Sequence, residues 1–314
     1  MVEMTNALLE IIKSHGDRGA IVPYSRIGDL KADMLALKNE EYHMDWLDRM
    51  AKHVTGDGDR FIPADCGFVP RSLISIVMPN PKVMVQFQYR GRPVPCAVPA
   101  HYTNWERNNR RALQYLRDYL SPQGFSVAMT ITLPQKLLAV HCGLALYGRN
   151  NICYNEEFGS YMQIMAYLSN LPCGEGPWVP LGRMKRCDIC GACVAACPTG
   201  AIDPERRLID SDRCITYFDE LPGEEYPAWI DKDAHNSLFG CTKCQDCCPG
   251  NACNRDNVPA GAVFTQEETE ALLACTDGAY PDALAAKIDE MGIPPEYGRT
   301  GVLPRNLRAL LEKA

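Results

Sequence analysis

The chain has 314 residues, of which 46% are hydrophobic, and its formal net charge is −7 at pH 7. This length and apolar content provide material for one large domain or two ordinary ones, and they exclude a wholly disordered protein. The negative charge argues against a general nucleic-acid-binding protein that is held by contacts to phosphates.

The N-terminal sequence MVEMTNALLEIIKSHGDRG carries acidic residues early and lacks the basic start and cleavage site of a signal peptide. No run of about 18 apolar residues occurs along the chain, so no membrane-spanning helix is predicted. We therefore expect a cytoplasmic protein that has no membrane anchor.

Predicted helices and strands alternate in the first 180 residues. TNALLEIIKSHG has a helical apolar pattern that begins at a capping Thr5 and ends at Gly16. Residues rich in β-formers then predict three strands, in RSLISIVMP, KVMVQFQY and GFSVAMTITLP. Between the second and third strands, NWERNNRRALQYLRDYLSPQG predicts a long helix. The pattern indicates an α/β (α+β) domain over residues 1–180.

The C-terminal segment, residues 256–314, is predicted to be helical. Thr265 and Glu268 form a capping-box pattern ahead of an apolar run. Further helices are predicted to begin near Pro281 and near Pro304. The intervening residues 181–255 are rich in cysteine and form a third predicted segment.

The sixteen cysteines of the chain are concentrated in this third segment. In a reducing compartment, clustered thiols more often bind metal or carry out redox chemistry than form disulfides. Cys187, Cys190, Cys193 and Cys197 follow the spacing C-x2-C-x2-C-x3-C-P, which holds iron–sulfur clusters in bacterial ferredoxins. Four-cysteine zinc sites usually consist of two separated C-x2-C pairs, so the spacing favours iron–sulfur over zinc.

A second, split motif completes the predicted ligand set. Exchange of the cysteines that precede proline would give two [4Fe–4S] clusters. The first would take Cys187, Cys190, Cys193 and Cys248, and the second would take Cys197, Cys214, Cys241 and Cys244. Cys247 also satisfies the spacing, but Cys248 is preferred because a proline follows it.

Several quoted stretches together resemble the epoxyqueuosine reductase family, of which this would be a divergent, short member. They are HCGLALYGRNNICYNEEFGSYM, DRCITY, FGCTKCQDCCPGN, MDWLDRM, PAHYTNWERNNRRALQYLRDYL and GRTGVLPRNLRALLEK. The resemblance implies an α/β corrinoid-binding domain over residues 1–180, a ferredoxin-like module with two [4Fe–4S] clusters over 181–255, and a short helical tail. It also implies cobalamin, bound base-off, as a cofactor.

The same resemblance suggests which residues contact the corrinoid. They are Arg149, Asn150, Asn155, Phe158 and Gly159, in the loop that the family places near this cofactor. Electrons would come from a low-potential donor of the ferredoxin or flavodoxin type.

The chain departs from the family at one position. The family has an aspartate three positions before a proline, and here Ile131 stands three positions before Pro134. Isoleucine cannot donate a proton, so the matching general acid is absent. The catalytic residue is therefore not identified, although His141, in the same region, is a candidate.

The leading functional prediction is a cobalamin-dependent iron–sulfur oxidoreductase that acts on an unidentified substrate. The first alternative is an electron-transfer protein or a reductive activator of a corrinoid protein. The second alternative is an epoxyqueuosine-tRNA reductase with a replaced proton donor. Because of Ile131 and the net charge, we expect the partner to be a small-molecule substrate or a corrinoid protein, and not tRNA.

Overall fold

The computed structural model describes residues 2–39, 66–206, 208–221 and 225–313, so the motif MDWLDRM at 44–50 lies outside the described residues. The strands are β1 (Arg18–Pro23), β2 (Ser72–Pro79), β3 (Val83–Tyr89), β4 (Arg92–Val98), β5 (Val127–Thr130), β6 (Leu146–Tyr147), β7 (Cys153–Tyr154), β8 (Met162–Ser169) and β9 (Ala260–Phe264). The helices are α1 (Val2–Ser14), α2 (Ile27–Asn39), α3 (Trp105–Leu120), α4 (Gln135–His141), α5 (Ala192–Ala196), α6 (Ile215–Glu220), α7 (Lys243–Asp246), α8 (Gln266–Ala274), α9 (Asp282–Glu290), α10 (Pro295–Gly298) and α11 (Val302–Lys313).

The first compact unit comprises Met1–Pro79, Asn108–Glu157 and Met162–Ile189. Its four-stranded sheet has the order β1-β2-β8-β5, and every pair of neighbouring strands is antiparallel. All but the last residue of β2 are buried, so both faces of this central strand are covered. Helix α1 packs against β1, and α4 packs against β2 and β8.

The second compact unit comprises Asn80–Arg107, Phe158–Tyr161 and Cys190–Ala314. In its three-stranded sheet, β3 pairs antiparallel with β4 and parallel with β9. Phe87 of β3 stacks on Phe264 of β9 with ring centroids 4.7 Å apart. Apolar residues of the C-terminal helices, among them Leu272, Ile288 and Leu307, are fully buried in the same core. The C-terminal helices therefore belong to the core of this unit.

Comparison with the predicted elements confirms the fold class and corrects one helix start. Helix α1 begins at Val2, and the Thr5 hydroxyl donates to the Val2 carbonyl inside the helix, so Thr5 is not its cap. The helices predicted near Pro281 and Pro304 begin at Asp282 and Val302. Gly16 ends α1 as predicted, with φ at +81°. The capping box of Thr265 and Glu268 is present at the start of α8.

The predicted division into residues 1–180, 181–255 and 256–314 stays a prediction. None of the helices in the described part of the chain is long and apolar enough to cross a membrane.

Candidate functional site

The first cysteine motif begins on a short 3₁₀ turn, Lys185–Asp188, and Cys187 within it is buried. Cys193 lies on α5, and Cys197 follows that helix directly. The sulfur of Cys197 accepts a hydrogen bond from the backbone N–H of Ala201 at 3.2 Å. Such N–H donors are part of the environment in which cluster thiolates are held.

Three of the four cysteines predicted for the second cluster are electrostatic neighbours. Burial raises the pKa of Cys214, and the nearby Cys197 thiol raises it further. Burial also raises the pKa of Cys241 to about 11, and Cys214 contributes to that shift. The side-chain amide of Asn236 donates to the Cys241 sulfur at 3.1 Å. These contacts support the predicted ligand set, which stays a prediction.

The two adjacent cysteines of the second motif have different surroundings. Cys248 is buried, and its carbonyl accepts a hydrogen bond from Arg255 at 3.3 Å. Cys247 is half-buried, and its thiol donates to the carbonyl of Cys244 at 3.6 Å. The preference for Cys248 as the ligand stays a prediction.

Asp246, which lies between the cysteines of the second motif, is the centre of a polar cluster. Its carboxylate accepts hydrogen bonds from Lys82 at 2.5 Å, from Tyr161 at 3.2 Å and from Thr242 at 2.6 Å. Burial, and then the Asp246 charge, raise the pKa of Tyr161. Sequence reasoning missed this cluster. The position of Asp246 among the cysteines was a signal, whereas Lys82 lies 164 positions away.

At Gly159, one of the predicted corrinoid-contacting residues, the backbone lies so close to Asn251 that only glycine fits. Its φ is +60°, and a Cβ atom there would lie 2.3 Å from the Asn251 side-chain oxygen. That same oxygen accepts the backbone N–H of Ser160 at 2.7 Å. Phe158, the preceding residue, is half-buried in the same second unit.

The other predicted corrinoid-contacting residues lie in the first unit, in the loop around β6 and β7. The Arg149 guanidinium donates to the carbonyl of Cys187 at 2.5 Å. Asn150 is buried and donates to the Tyr154 hydroxyl at 2.9 Å. Asn155 donates to the carbonyl of Leu144 at 2.7 Å. These hydrogen bonds fix the shape of the loop, and the contact of these residues with a corrinoid stays a prediction.

His141 is held on three sides at the end of α4. One ring nitrogen lies 2.6 Å from the carbonyl of Val179, and the other lies 2.6 Å from the carboxylate of Asp33. Its ring also stacks on Trp178 with centroids 4.4 Å apart. Both ring nitrogens therefore lie within hydrogen-bonding distance of acceptors inside the protein. This geometry describes an anchor for the segment that carries Trp178, and the catalytic role of His141 stays a prediction.

Ile131 occupies the turn between β5 and α4 and is 67% exposed. The hydroxyls of its neighbours, Thr130 and Thr132, lie 3.0 Å apart. The structure therefore places an apolar, solvent-accessible side chain where the family has its aspartate.

Comparison with known proteins bears first on the cysteine segment. Residues 186–251 match a family model described as a 4Fe-4S double cluster binding domain. The match covers all eight predicted ligand cysteines and confirms the prediction of two [4Fe–4S] clusters.

Curated relatives extend the similarity beyond this segment. Epoxyqueuosine reductase of Francisella cf. novicida is 28% identical over 232 residues, which cover 67% of this chain and 60% of the relative. That of Bacillus subtilis is 31% identical over 150 residues, which cover 45% of this chain and 36% of the relative. The chain therefore matches less than two thirds of the length of these relatives.

Solved structures of epoxyqueuosine reductases are also similar to this chain. The epoxyqueuosine reductase of Bacillus subtilis, solved with its catalytic loop swung out of the active site, gives a TM-score of 0.63 at 19% identity. The match covers 98% of this chain and 81% of that one. The chain resembles epoxyqueuosine reductases in sequence and shares their fold. This confirms the predicted family resemblance.

One prediction about partners is wrong. An epoxyqueuosine reductase with an epoxyqueuosine-modified tRNA stem loop matches 98% of this chain and 81% of its own, with a TM-score of 0.63 and 18% identity. The expectation that tRNA is not a partner rested on the net charge of −7 and on Ile131. Net charge sums the whole chain, whereas phosphate contacts depend on the local distribution of charge, so it cannot exclude a tRNA substrate.

Proposed function

We propose that this chain is a cobalamin-dependent iron–sulfur reductase and that its substrate is epoxyqueuosine in tRNA. The observation that carries the proposal is the double-cluster segment, residues 186–251, within a fold shared with epoxyqueuosine reductases over 98% of the chain. Deoxygenation of an epoxide to an alkene consumes two electrons and two protons and releases water. Two clusters form a relay that can deliver those electrons one at a time.

The residues present fit two clusters. Eight thiols have the spacing of a two-cluster ferredoxin, and a backbone N–H and a side-chain amide already donate to two of the sulfurs. Hydrogen bonds of this kind raise the reduction potential of a cluster relative to the same cluster without them.

The residues present also fit a corrinoid next to the first motif. Arg149, in the loop predicted to hold the corrinoid, donates a hydrogen bond to the backbone carbonyl of Cys187, a predicted cluster ligand. Arg149, Asn150 and Asn155 would therefore hold the cofactor. When bound, reduced cobalamin supplies a strong nucleophile and electron donor, while the protein supplies position and exclusion of water.

The proton for the developing alkoxide has no side-chain donor at position 131. Because Ile131 is 67% exposed, solvent reaches this turn, and we infer that water supplies the proton. A positioned acid contributes about 10²–10⁴ in rate, so the reaction should be slower by roughly that factor than with an aspartate. The proposal thus combines the tRNA substrate with a replaced proton donor.

The test is single-turnover reduction of an epoxyqueuosine-containing anticodon stem-loop by anaerobically prepared, cobalamin-loaded protein. Queuosine should form slowly in the wild type and faster in Ile131→Asp. Ile131→Asn, of similar size to aspartate but not acidic, is the matched control and should not gain rate.

The outcomes separate the alternatives. If cobalamin binds and is reduced but neither the wild type nor Ile131→Asp forms queuosine, the substrate is a different one. If the clusters are reduced but cobalamin does not bind, the chain is an electron-transfer protein instead.

A further inference from the structure

The turn that carries the first cluster ligand presents cations and one apolar side chain to solvent. Lys185 and Arg186, which precede Cys187, are exposed. Within the part of the chain that the structure describes, neither of them forms an ion pair. Ile189, between Cys187 and Cys190 in sequence, is 96% exposed. Among the large hydrophobic side chains in the described part of the chain, Ile189 is the most exposed.

Backbone hydrogen bonds and an ion pair fix the conformation of this turn. The N–H of Met184 donates to the carbonyl of Tyr147 at 2.9 Å, and the N–H of Tyr147 donates to the carbonyl of Gly182 at 3.0 Å. Arg183 forms an ion pair with Asp188 at 2.8 Å across the turn. A surface fixed in this way loses little conformational entropy when a partner binds.

The surroundings of the second cluster have the opposite charge. Among the described residues of 203–233, six carboxylates are exposed, against two exposed cations, Arg213 and Lys232. The carboxylates are Asp203, Glu205, Asp212, Glu225, Asp231 and Asp233. An acidic protein would therefore be repelled from this segment and attracted to the turn at Lys185 and Arg186.

We propose that residues 183–189 are the docking surface for an acidic one-electron carrier protein, of the flavodoxin or ferredoxin type. The reduced carrier loses one electron, the first cluster gains it, and no atom is transferred. An apolar centre with a charged rim and a small area suits a transient redox complex. This inference rests on the two-cluster part of the proposed function and adds where electrons enter.

The composition of the surface favours a protein over an RNA. Single-stranded nucleic acid is usually held by aromatic side chains on which bases stack, and residues 183–189 contain none. The apolar group at the centre is the aliphatic Ile189, and the exposed carboxylate of Asp188 stands beside it. An aliphatic anchor and an acidic neighbour suit a folded protein surface better than a phosphate backbone.

The experiment is stopped-flow reduction of the oxidised, cluster-loaded protein by reduced flavodoxin, followed by the loss of cluster absorbance. The double variant Lys185→Glu/Arg186→Glu should lower the second-order rate constant at least tenfold at low ionic strength and remove its salt dependence. Ile189→Ser should lower the rate constant at every salt concentration. The matched control, Lys13→Glu/Arg117→Glu, makes the same change in net charge at exposed residues of α1 and α3 and should react like the wild type.

Two further measurements keep the outcomes distinct. Photoreduced deazaflavin, a small uncharged reductant, should reduce the clusters of every variant equally and should still support queuosine formation. If the Lys185→Glu/Arg186→Glu variant accepts electrons from flavodoxin at the wild-type rate, the proposal is overturned. If the same variant instead loses affinity for the stem-loop, the turn is an RNA-binding surface and the proposal is likewise wrong.

Discussion

The guanidinium of Arg149 donates a 2.5 Å hydrogen bond to the backbone carbonyl of Cys187. This bond joins the loop predicted to contact the corrinoid to the first predicted ligand of an iron–sulfur cluster. We therefore expect that a change at Arg149 affects both the binding of the corrinoid and the position of Cys187.

Replacement of Arg149 by methionine should weaken cobalamin binding roughly 10- to 100-fold. The loop predicted to hold the cofactor would lose its hydrogen bond to the Cys187 carbonyl, and a hydrogen bond from a charged group contributes about 1.5–3 kcal/mol. Titration of the reconstituted protein with cob(II)alamin, followed by absorbance, measures the dissociation constant. Arg117→Met removes an exposed arginine from α3 and is the control. Equal affinity in Arg149→Met and the wild type would show that this residue does not organise the cofactor loop.

Eight iron and eight sulfide ions per chain are expected in anaerobic preparations, since eight cysteines form two ferredoxin-like sets. Cys187→Ser should lose one cluster, and Cys241→Ser should lose the other, as counted by iron and sulfide analysis and by electron paramagnetic resonance of the reduced protein. Separate serine variants of Cys247 and Cys248 identify the ligand, and Cys248→Ser should be the one that loses iron. Zinc without sulfide would contradict the prediction.

Removal of the His141 imidazole should cost stability and leave the chemistry intact, because both ring nitrogens are bound within the protein. His141→Ala should lower the free energy of unfolding by about 2–4 kcal/mol, as expected for two hydrogen bonds of which one is to a carboxylate. Asp33→Asn, which keeps the shape of the partner, should cost less. A variant that unfolds like the wild type but has a changed pH–rate profile would indicate a catalytic role.

Asp219 should make the second unit less stable as the pH rises above neutrality. Burial raises the pKa of this carboxyl to about 8, above its ordinary value of 3.8, so the folded state holds a proton that the unfolded state has lost. Between these values the free energy of unfolding should fall by at most about 1.4 kcal/mol per pH unit. Chemical denaturation at pH 7 and at pH 8 measures the slope, and Asp219→Asn should flatten it.

The hydrogen bonds around Asp219 support this direction. Tyr226 has one hydroxyl proton, yet its oxygen lies 2.6 Å from the Asp219 carboxyl and 2.7 Å from the Asn306 side-chain oxygen. If Asp219 is protonated, it can donate to the Tyr226 oxygen, and the Tyr226 hydroxyl can donate to Asn306. His235, also buried nearby, has a lowered pKa, so it contributes a change of opposite sign only in more acidic solution. An Asp219→Asn variant with the wild-type slope would place the responsible group elsewhere.

The sequence by itself determined what depends on neighbouring residues. The capping box of Thr265 and Glu268 and the glycine end of α1 are local arrangements within a few positions, so their patterns sufficed. The spacing of Cys187, Cys190 and Cys193 likewise predicted an iron–sulfur cluster, because three of its four predicted ligands lie within seven positions. The prediction that Thr5 caps α1 was wrong because a threonine hydroxyl can also form a hydrogen bond inside a helix. Three further residues at the N-terminus extend α1.

Only the tertiary structure decided the contacts between distant parts of the chain. Asp33 reaches His141 across 108 positions, and Lys82 reaches Asp246 across 164. It also decided that the central sheet is antiparallel throughout, which alternating helices and strands did not specify. The proposed anchoring role of His141 rests on such contacts. Whether an imidazole can exchange protons with a substrate depends on what occupies its two nitrogens, and those partners come from segments that are not adjacent in sequence.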